Sequence, residues 1–252
     1  MKRLLGLVCA VLFLAGAAEA QMDSQYSRKN TFGVFVNYSN NSSHIIIGQE
    51  RNRKIAGIGA AYSRRLAHKA SFDFTYEAEV RPVTFLRDPV VTGTSTFTIQ
   101  GFPTVIDVPV GTVPFSGPTT ANCTSGTTVF NGTSPNKVVY TETTTQTCGS
   151  RWSYTGGISP LGLRFQFLKR YRVQPFLVAN GGFLAAFHDE PVNNSESFNF
   201  TFEVGGGVEW FRNHQRSVAV DYRMHHLSNG YRGFYNPGID SGVFRVSYRF
   251  GR

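Results

Sequence analysis

The chain has 252 residues and a formal net charge of +9 at pH 7; 41% of its residues are hydrophobic, 14% aromatic and 16% charged. This length permits a single domain, because all-β barrels of about 200 to 250 residues commonly form one unit. Beyond the N-terminal apolar run, no stretch approaches the roughly 18 consecutive apolar residues of a membrane-spanning helix, so the sequence excludes one.

The N-terminus has the three parts of a secretory signal peptide. Met1-Lys2-Arg3 is a basic start, residues 4–17 are an apolar run, and Ala18-Glu19-Ala20 is a small-residue cleavage site. We therefore predict a signal peptide at 1–20 and a single mature domain at 21–252. Such a chain is secreted, periplasmic or an outer-membrane barrel. For a barrel, we expect the positive charge to meet anionic lipid phosphate and not nucleic acid; a charge that only aids solubility is the other interpretation.

Apolar and polar residues alternate along most of the mature chain, and a period of two predicts β-strands. The clearest case runs from Phe72 to Arg81, with apolar residues at even positions and mostly charged residues at odd positions. Six predicted strands cover residues 31–38, 54–64, 72–81, 152–167, 173–187 and 197–211, and two more flank a loop at 228–239. Pro160 predicts a bulge in the fourth strand, because proline has no N–H for the ladder.

The connections between these strands alternate in length. Short turns lie at 65–69, 169–172 and 212–216, and longer loops lie at 39–53, 87–150, 188–196 and 228–239. Short periplasmic turns and longer external loops are typical of outer-membrane barrels. We therefore predict an all-β fold: an eight-stranded antiparallel up-and-down transmembrane β-barrel with both termini on the periplasmic side. A soluble β-sandwich, with the apolar faces in its core, is the alternative.

The interior of an eight-stranded barrel is just wide enough for side chains. The predicted inward positions carry acids and bases: Asp73, Glu77, Glu79, Arg81, Arg164, Glu203, Glu209, Asp221, Arg223, Arg245 and Arg249. Because buried charges need partners, we predict that these side chains form a paired ionic plug and that the barrel is not a solute channel. Any chemistry would then take place at the loops or on the lipid-facing wall.

Two cysteines remain after signal cleavage, Cys123 and Cys148, and both lie in the segment 87–150. In an exported chain they suggest one disulfide, although two unpaired thiols are an alternative. A metal site is less favoured, because no nearby histidine or third cysteine completes one. We interpret the segment as an elaborated outer loop that could contain a hairpin of Thr94–Gln100 with Val105–Val110.

The last hairpin holds the residue types of nucleophilic catalysis. His226, Ser228 and Asp240 are all at even positions, the parity of the apolar face. A hairpin that closes around residue 233 would set His226 opposite Asp240, and Asn-Gly and Asn-Pro-Gly turn signals lie between them. A hydroxyl, a base and an orienting acid are what such chemistry requires. The neighbouring His225 has inward parity and is expected to be structural.

This stretch resembles the outer-membrane lipid A 3-O-deacylase family, the PagL-like acyloxyacyl hydrolases. The likeness rests on His226-Leu227-Ser228-Asn229, then Asn236-Pro237-Gly238, then Asp240. It implies a catalytic histidine at His226, a nucleophile at Ser228 and an acid at Asp240, where the family typically has glutamate. A shorter acid must sit closer to the imidazole. The family's oxyanion-hole asparagine corresponds to Asn236, and Asn229 is expected to support it.

The resemblance implies a carboxylic ester hydrolase that removes the 3-position acyl chain from lipid A of lipopolysaccharide in the outer membrane. It implies no metal and no organic cofactor. Because the seventh predicted strand runs outward, we expect the active site toward the outer leaflet, among membrane lipids. The alternative is a non-catalytic outer-membrane barrel with a structural or adhesion role, displaying the segment closed by Cys123 and Cys148. No oligomeric state is predicted.

Overall fold

The structure, a computed structural model, describes residues 26–100, 111–118, 123–135, 138–190 and 195–252. The predicted signal peptide and the predicted strand Val105–Val110 lie outside these residues. The strands are β1 (Asn30–Ser39), β2 (Lys54–His68), β3 (Phe72–Gln100), β4 (Gly111–Pro118), β5 (Gly126–Thr133), β6 (Val139–Phe167), β7 (Val173–Glu190), β8 (Glu196–Phe211), β9 (Arg216–Ser228) and β10 (Ile239–Gly251). Within the described ranges, no helix has the length and apolarity needed to cross a membrane.

Eight of the strands close into a ring. Apart from β4 and β5, strands that are neighbours along the chain pair antiparallel. In addition, β1 pairs with β10 and β3 pairs with β6, which closes the ring. The ring therefore consists of β1, β2, β3 and β6 to β10. The prediction of an eight-stranded antiparallel barrel is confirmed, because the strands at the six expected ranges and on both sides of loop 228–239 are all present.

The two faces of the ring differ as the alternation predicts. Along β9, Asp221 and Arg223 are buried, whereas Val220 and Tyr222 are exposed. The same pattern around the ring turns the aromatic and aliphatic side chains outward, as on an outer-membrane barrel whose apolar band meets lipid. A soluble sandwich would place these side chains in a core, so that alternative is wrong.

All the predicted inward charges are buried, and they pair with one another. Glu79 Oε1 accepts hydrogen bonds from Arg245 Nη1 at 2.5 Å and from Arg223 Nη1 at 3.0 Å. Arg81 Nη2 lies 2.9 Å from Glu203 Oε2, and further pairs join Arg164 to Glu209 and Arg249 to Glu77. The predicted ionic plug is therefore confirmed. Such a network fills the interior and gives each buried charge its opposite.

The predicted bulge at Pro160 is confirmed. The register between β6 and β7 shifts between Ile158 and Leu161, where the proline interrupts the ladder. The Tyr76 hydroxyl of the adjacent strand donates to the Pro160 carbonyl at 2.5 Å. The carbonyl of the bulged strand thus has a side-chain partner in place of a backbone one.

The segment 87–150, interpreted as a loop, is largely strand. β3 and β6 each have 29 residues, whereas about 9 to 11 residues suffice to cross the bilayer. Their far ends pair over residues 90–100 and 139–149, with β4 and β5 added on either side. We call this four-stranded extension the distal sheet. The predicted Thr94–Gln100 strand exists, but its described hairpin partner begins at Gly111.

A disulfide joins Cys123 to Cys148, with their Cα atoms 5.7 Å apart, so the predicted pairing is confirmed. It ties the segment before β5 to β6 near the base of the distal sheet. One face of this sheet carries cross-strand threonine pairs, at 92 and 147, 94 and 145, 96 and 143, and 98 and 141. Threonine is a β-branched residue that favours a pleated surface.

Candidate active site

The last hairpin brings His226 and Asp240 together across the ladder. They are paired in the register of β9 and β10, and His226 Nδ1 lies 2.6 Å from Asp240 Oδ1. Asp240 is fully buried, whereas the His226 side chain is 16% exposed. In the neutral imidazole this contact makes Nδ1 the donor, which leaves Nε2 as the basic nitrogen.

The other oxygen of Asp240 is held by backbone groups of the loop between β1 and β2. Asp240 Oδ2 accepts hydrogen bonds from the N–H groups of Ile46 at 2.6 Å, Ile47 at 3.0 Å and Gly48 at 3.0 Å. Successive N–H groups that converge in this way form an anion-binding nest. The nest fixes the short carboxylate of Asp240 and holds it against the imidazole.

Gly48 is required for this close approach. A Cβ atom there would lie 2.5 Å from the Asp240 backbone nitrogen and 2.8 Å from its Cγ. The β1–β2 loop is also hydrogen-bonded to the β9–β10 hairpin: the Gln49 N–H donates to the Pro237 carbonyl at 2.7 Å and the Glu50 N–H to the Gly238 carbonyl at 3.1 Å. This role was not predicted from the sequence, in which the available signal was an isoleucine triplet followed by glycine inside an otherwise polar loop.

Ser228 lies on the same outward face as His226, two residues further along β9. It is half-buried and stands opposite Phe200 of β8. Its Oγ accepts a hydrogen bond from the Gly230 N–H at 3.1 Å, and among the described residues it is not hydrogen-bonded to His226. The structure thus brings His226 and Asp240 into contact and places Ser228 on the same face of β9 as His226.

The two asparagines of the motif shape the loop between β9 and β10. The Asn229 side chain is fully buried; its Nδ2 donates to the Tyr235 carbonyl at 2.6 Å and its Oδ1 accepts the Tyr231 N–H at 2.9 Å. Asn236 Oδ1 accepts the Asn229 N–H at 3.1 Å, so its Nδ2 group points along the opposite branch of the amide. Asn229 therefore stabilises the loop through its side chain. Asn236 uses its Oδ1 in the loop, and its Nδ2 donor is directed away from Asn229.

Gly238 also sets the position of the imidazole. Its φ is +64°, in the left-handed region that favours glycine, and a Cβ there would lie 3.1 Å from His226 Cε1. The chain thus uses a glycine on each side of the pair, at Gly48 against the acid and at Gly238 against the base.

Apolar side chains flank the site on both sides. Ile45, Ile46 and Ile47 are exposed on the β1–β2 loop, and Tyr231 and Phe234 of the β9–β10 loop are about nine-tenths exposed. An exposed apolar patch of this kind marks contact with lipid or another apolar partner. Among the described residues, no group of three or more His, Cys, Asp or Glu side chains is placed to hold a metal ion.

The adjacent His225 points the other way. It is buried inside the barrel, with Nε2 4.0 Å from Glu203 Oε1, so its predicted inward position is confirmed. One residue of displacement along β9 therefore moves an imidazole from the lipid-facing wall to the ionic plug, as the period of a strand requires.

A second set of buried charges lies at the rim of the barrel, beyond the membrane-spanning part. Arg53 Nη1 is 2.5 Å from Glu50 Oε2, and Arg53 Nε is 3.2 Å from Asp88 Oδ1. Burial and the neighbouring Asp88 carboxylate raise the pKa of Glu190, the last residue of β7, to about 8. Because Glu50 follows the nest in sequence, this cluster anchors the loop that holds Asp240.

Comparison with known proteins gives a family. A family model described as Lipid A 3-O-deacylase (PagL) matches residues 97–249, which include the whole of the site on β9 and β10. No curated protein matches the chain.

Solved structures of low identity also align with the chain. The outer membrane enzyme PagL is 13% identical, with 87% of this chain and 99% of that chain covered and a TM-score of 0.41. Neisserial surface protein A (NspA) is 12% identical, with 89% and 97% covered and a TM-score of 0.40. LpxR from Salmonella typhimurium is 6% identical, with 88% and 100% covered and a TM-score of 0.23. At these TM-scores the three likenesses carry no argument about function.

Proposed function

The chain belongs to the lipid A 3-O-deacylase family, and from that premise we propose that it cleaves the 3-position acyl ester of lipid A with Ser228, His226 and Asp240. The observation that carries the proposal is the 2.6 Å contact between His226 Nδ1 and Asp240 Oδ1 on the outward wall of the barrel. A histidine oriented by a buried carboxylate, with a serine beside it on the same face, is the arrangement of a serine esterase.

In the first step, Ser228 Oγ attacks the ester carbonyl carbon of the acyl chain while His226 Nε2 takes the hydroxyl proton. The tetrahedral intermediate collapses when the bond to the glucosamine O3 breaks and the imidazolium returns its proton to that oxygen. In the second step, water attacks the acyl-serine carbonyl and gives a proton to His226. The bond to Ser228 Oγ then breaks, the serine recovers its proton, and a free fatty acid leaves.

Asp240 orients the imidazole and stabilises its positive form. The three N–H groups of the nest favour the charged carboxylate. Asp240 therefore accepts a hydrogen bond from the His226 Nδ1–H group without itself becoming protonated. We assign the oxyanion to the Asn236 Nδ2 group, because Asn236 Oδ1 is already used by the Asn229 N–H. A donor of this kind contributes roughly 3 kcal/mol to lowering the barrier.

The substrate is proposed to arrive sideways from the bilayer. The interior is filled by ion pairs, and His226 faces the lipid side. The flanking isoleucines and aromatics would pack against acyl chains. We infer that residues 1–20 are removed on export, that residues 21–252 form the mature barrel, and that the end bearing the site and the distal sheet faces the outer leaflet, where lipopolysaccharide lies.

Replacement of the nucleophile tests the proposal. Ser228→Ala and the parent are expressed in a host that bears lipopolysaccharide, and lipid A is examined by mass spectrometry. We expect the parent, but not the variant, to yield lipid A that lacks one hydroxyacyl chain. Ser71→Ala, an exposed serine in the turn at the opposite end, serves as the matched control and keeps the activity. Identical full-length lipid A from parent and variant would refute the assignment.

A second candidate function is a non-catalytic barrel that displays the distal sheet. The observation that favours it is the extent of β3 and β6, which continue far past the length needed to cross a bilayer. If a variant without the distal sheet keeps full deacylation, display of the sheet would be a second role beside the enzymatic one. If the parent shows no deacylation, display of the sheet would be the main role.

A further inference from the structure

The end of the barrel opposite the site carries a one-sided charge. Its exposed basic residues lie on the chain termini and on three turns: Lys29, Arg64, Lys69, Arg170, Arg172, Arg212, Arg216 and Arg252. The acids of this end, Asp73 and Glu209, are buried, and among the described residues no Asp or Glu is exposed there. A surface of this kind attracts anionic groups.

A groove opens on the outer wall at this end, between β9 and β10. It has a volume of about 450 Å³, and Gln215, Arg216, Tyr248, Phe250 and Arg252 line it. Arg216 stands directly across the ladder from Phe250. Both aromatic rings are more than two-fifths exposed and face outward, whereas both arginines lie at the rim of the barrel. The groove thus joins a basic end to an apolar wall.

We propose that this groove binds an anionic phospholipid, with the phosphate between Arg216 and Arg252 and an acyl chain along Tyr248 and Phe250. Guanidinium groups bind phosphate through paired hydrogen bonds. Aromatic side chains at the membrane–water interface place the arginines at headgroup depth. A free phosphate would use only the basic end, and the apolar wall therefore favours a lipid. Under the proposed orientation this lipid belongs to the inner leaflet; binding itself requires no deacylase activity.

Trp210 offers a local probe of the groove. It is exposed on the outer wall of β8, and Val218 of β9 pairs with it on one side and with Tyr248 on the other. The chain has two tryptophans, so Trp152→Phe leaves Trp210 as the single emitter. This variant is reconstituted in phosphatidylethanolamine vesicles that contain either phosphatidylglycerol or phosphatidylethanolamine with brominated acyl chains, at equal bromine content.

We expect brominated phosphatidylglycerol to quench Trp210 about twofold or more over the brominated neutral lipid, because basic residues at the surface concentrate anionic lipid. In the same background, Arg216→Gln with Arg252→Gln should bring the ratio close to one. Lysine at both positions should keep it above one, which separates loss of charge from loss of fold. Arg51→Gln with Arg232→Gln, at the opposite end, is the matched control and should leave it unchanged.

Equal quenching by the two lipids in the starting variant would overturn the proposal. So would a ratio that survives the glutamine pair, or one that falls equally in the control. None of these outcomes depends on whether lipid A is cleaved, so failure of the lipid site and failure of the proposed esterase are distinguishable.

Discussion

The two faces of β9 and β10 use similar side chains for opposite purposes. On the inner face, Arg223 and Arg245 share Glu79 and Glu203, so each charge has more than one partner. On the outer face, His226 has one partner, Asp240, and that partner is held by a loop from elsewhere in the chain.

This difference separates stability from chemistry. The inner pairs are buried, and removing one member leaves an uncompensated charge in the core, which costs folding free energy. In the outer pair, the partly exposed His226 can be replaced at a smaller cost in folding free energy, because Asp240 keeps its three backbone N–H donors. If the two faces are as independent as this geometry indicates, a substitution on one face should leave the role of the other unchanged.

The largest effect is expected from the adjacent histidines. His226→Asn should lower deacylation by about 10³-fold or more, because it removes the proposed base. His225→Asn, one residue away on the inner face, should leave the rate per folded molecule within about twofold. Rates are compared on purified protein in detergent with lipid A as substrate. A comparable loss of rate in both variants would show that the faces are coupled.

Glu79→Gln should have the opposite effect: it should lower the stability of the fold and not the deacylation rate per folded molecule. Glu79 is buried and accepts hydrogen bonds from Arg223, Arg245 and Asn180, so the neutral variant leaves arginine charge uncompensated and should lose about 3 kcal/mol of unfolding free energy. Unfolding in urea is followed by heat-modifiable migration on gels. Asp189→Asn, an exposed acid at the end of β7, is the control. Unchanged stability of Glu79→Gln would show that the ionic plug does not stabilise the fold.

Gly48→Ala should damage the site without replacing a proposed catalytic residue. The added Cβ collides with the Asp240 backbone and Cγ, so the nest must open, and activity should fall by roughly 10- to 100-fold. Gly126→Ala, where an added Cβ meets nothing within 4 Å, is the matched control and should behave as the parent. Full activity in Gly48→Ala would mean that the nest does not position the acid.

The smallest effect concerns the rim cluster and pH. The Glu190 pKa is raised from an ordinary value of 4.5 to about 8, so the folded chain holds a proton that the unfolded chain releases. Stability should therefore fall as pH rises from about 5 to about 8 and level off above. Glu190→Gln should flatten this dependence. Urea midpoints at both ends of the pH range give the pH dependence of stability for each protein. Equal dependence in the parent and in Glu190→Gln would contradict the prediction.

Much of this fold follows from alternation, because a strand with one apolar and one polar face has only one stable orientation in a barrel. The inward charges were predictable for that reason, and the pairing of His226 with Asp240 was predictable from the turn signals between them. The distal sheet was predicted only in part, as a strand at Thr94–Gln100, because residues 92–98 and 141–147 are mostly polar on both faces and show no apolar period.

The nest was not predicted from the sequence, for a different physical reason. Ile46 and Gly48 meet Asp240 from almost two hundred residues away in the chain, and backbone N–H groups have no signature in side-chain identity. For Asn229, the motif indicated a supporting role, whereas only the structure identifies its partners as the carbonyl of Tyr235 and the N–H of Tyr231.

Within the described residues, the distal sheet is a single layer without a buried apolar cluster, joined to the barrel through the ladders of β3 and β6. Its strand pairing therefore depends on the closed ring and should weaken with distance from it. Amide protons near Phe97 and Glu142 should therefore exchange with solvent much faster than those near Phe74 and Phe165 of the same two strands. The disulfide at Cys148 lies between these two regions of β6.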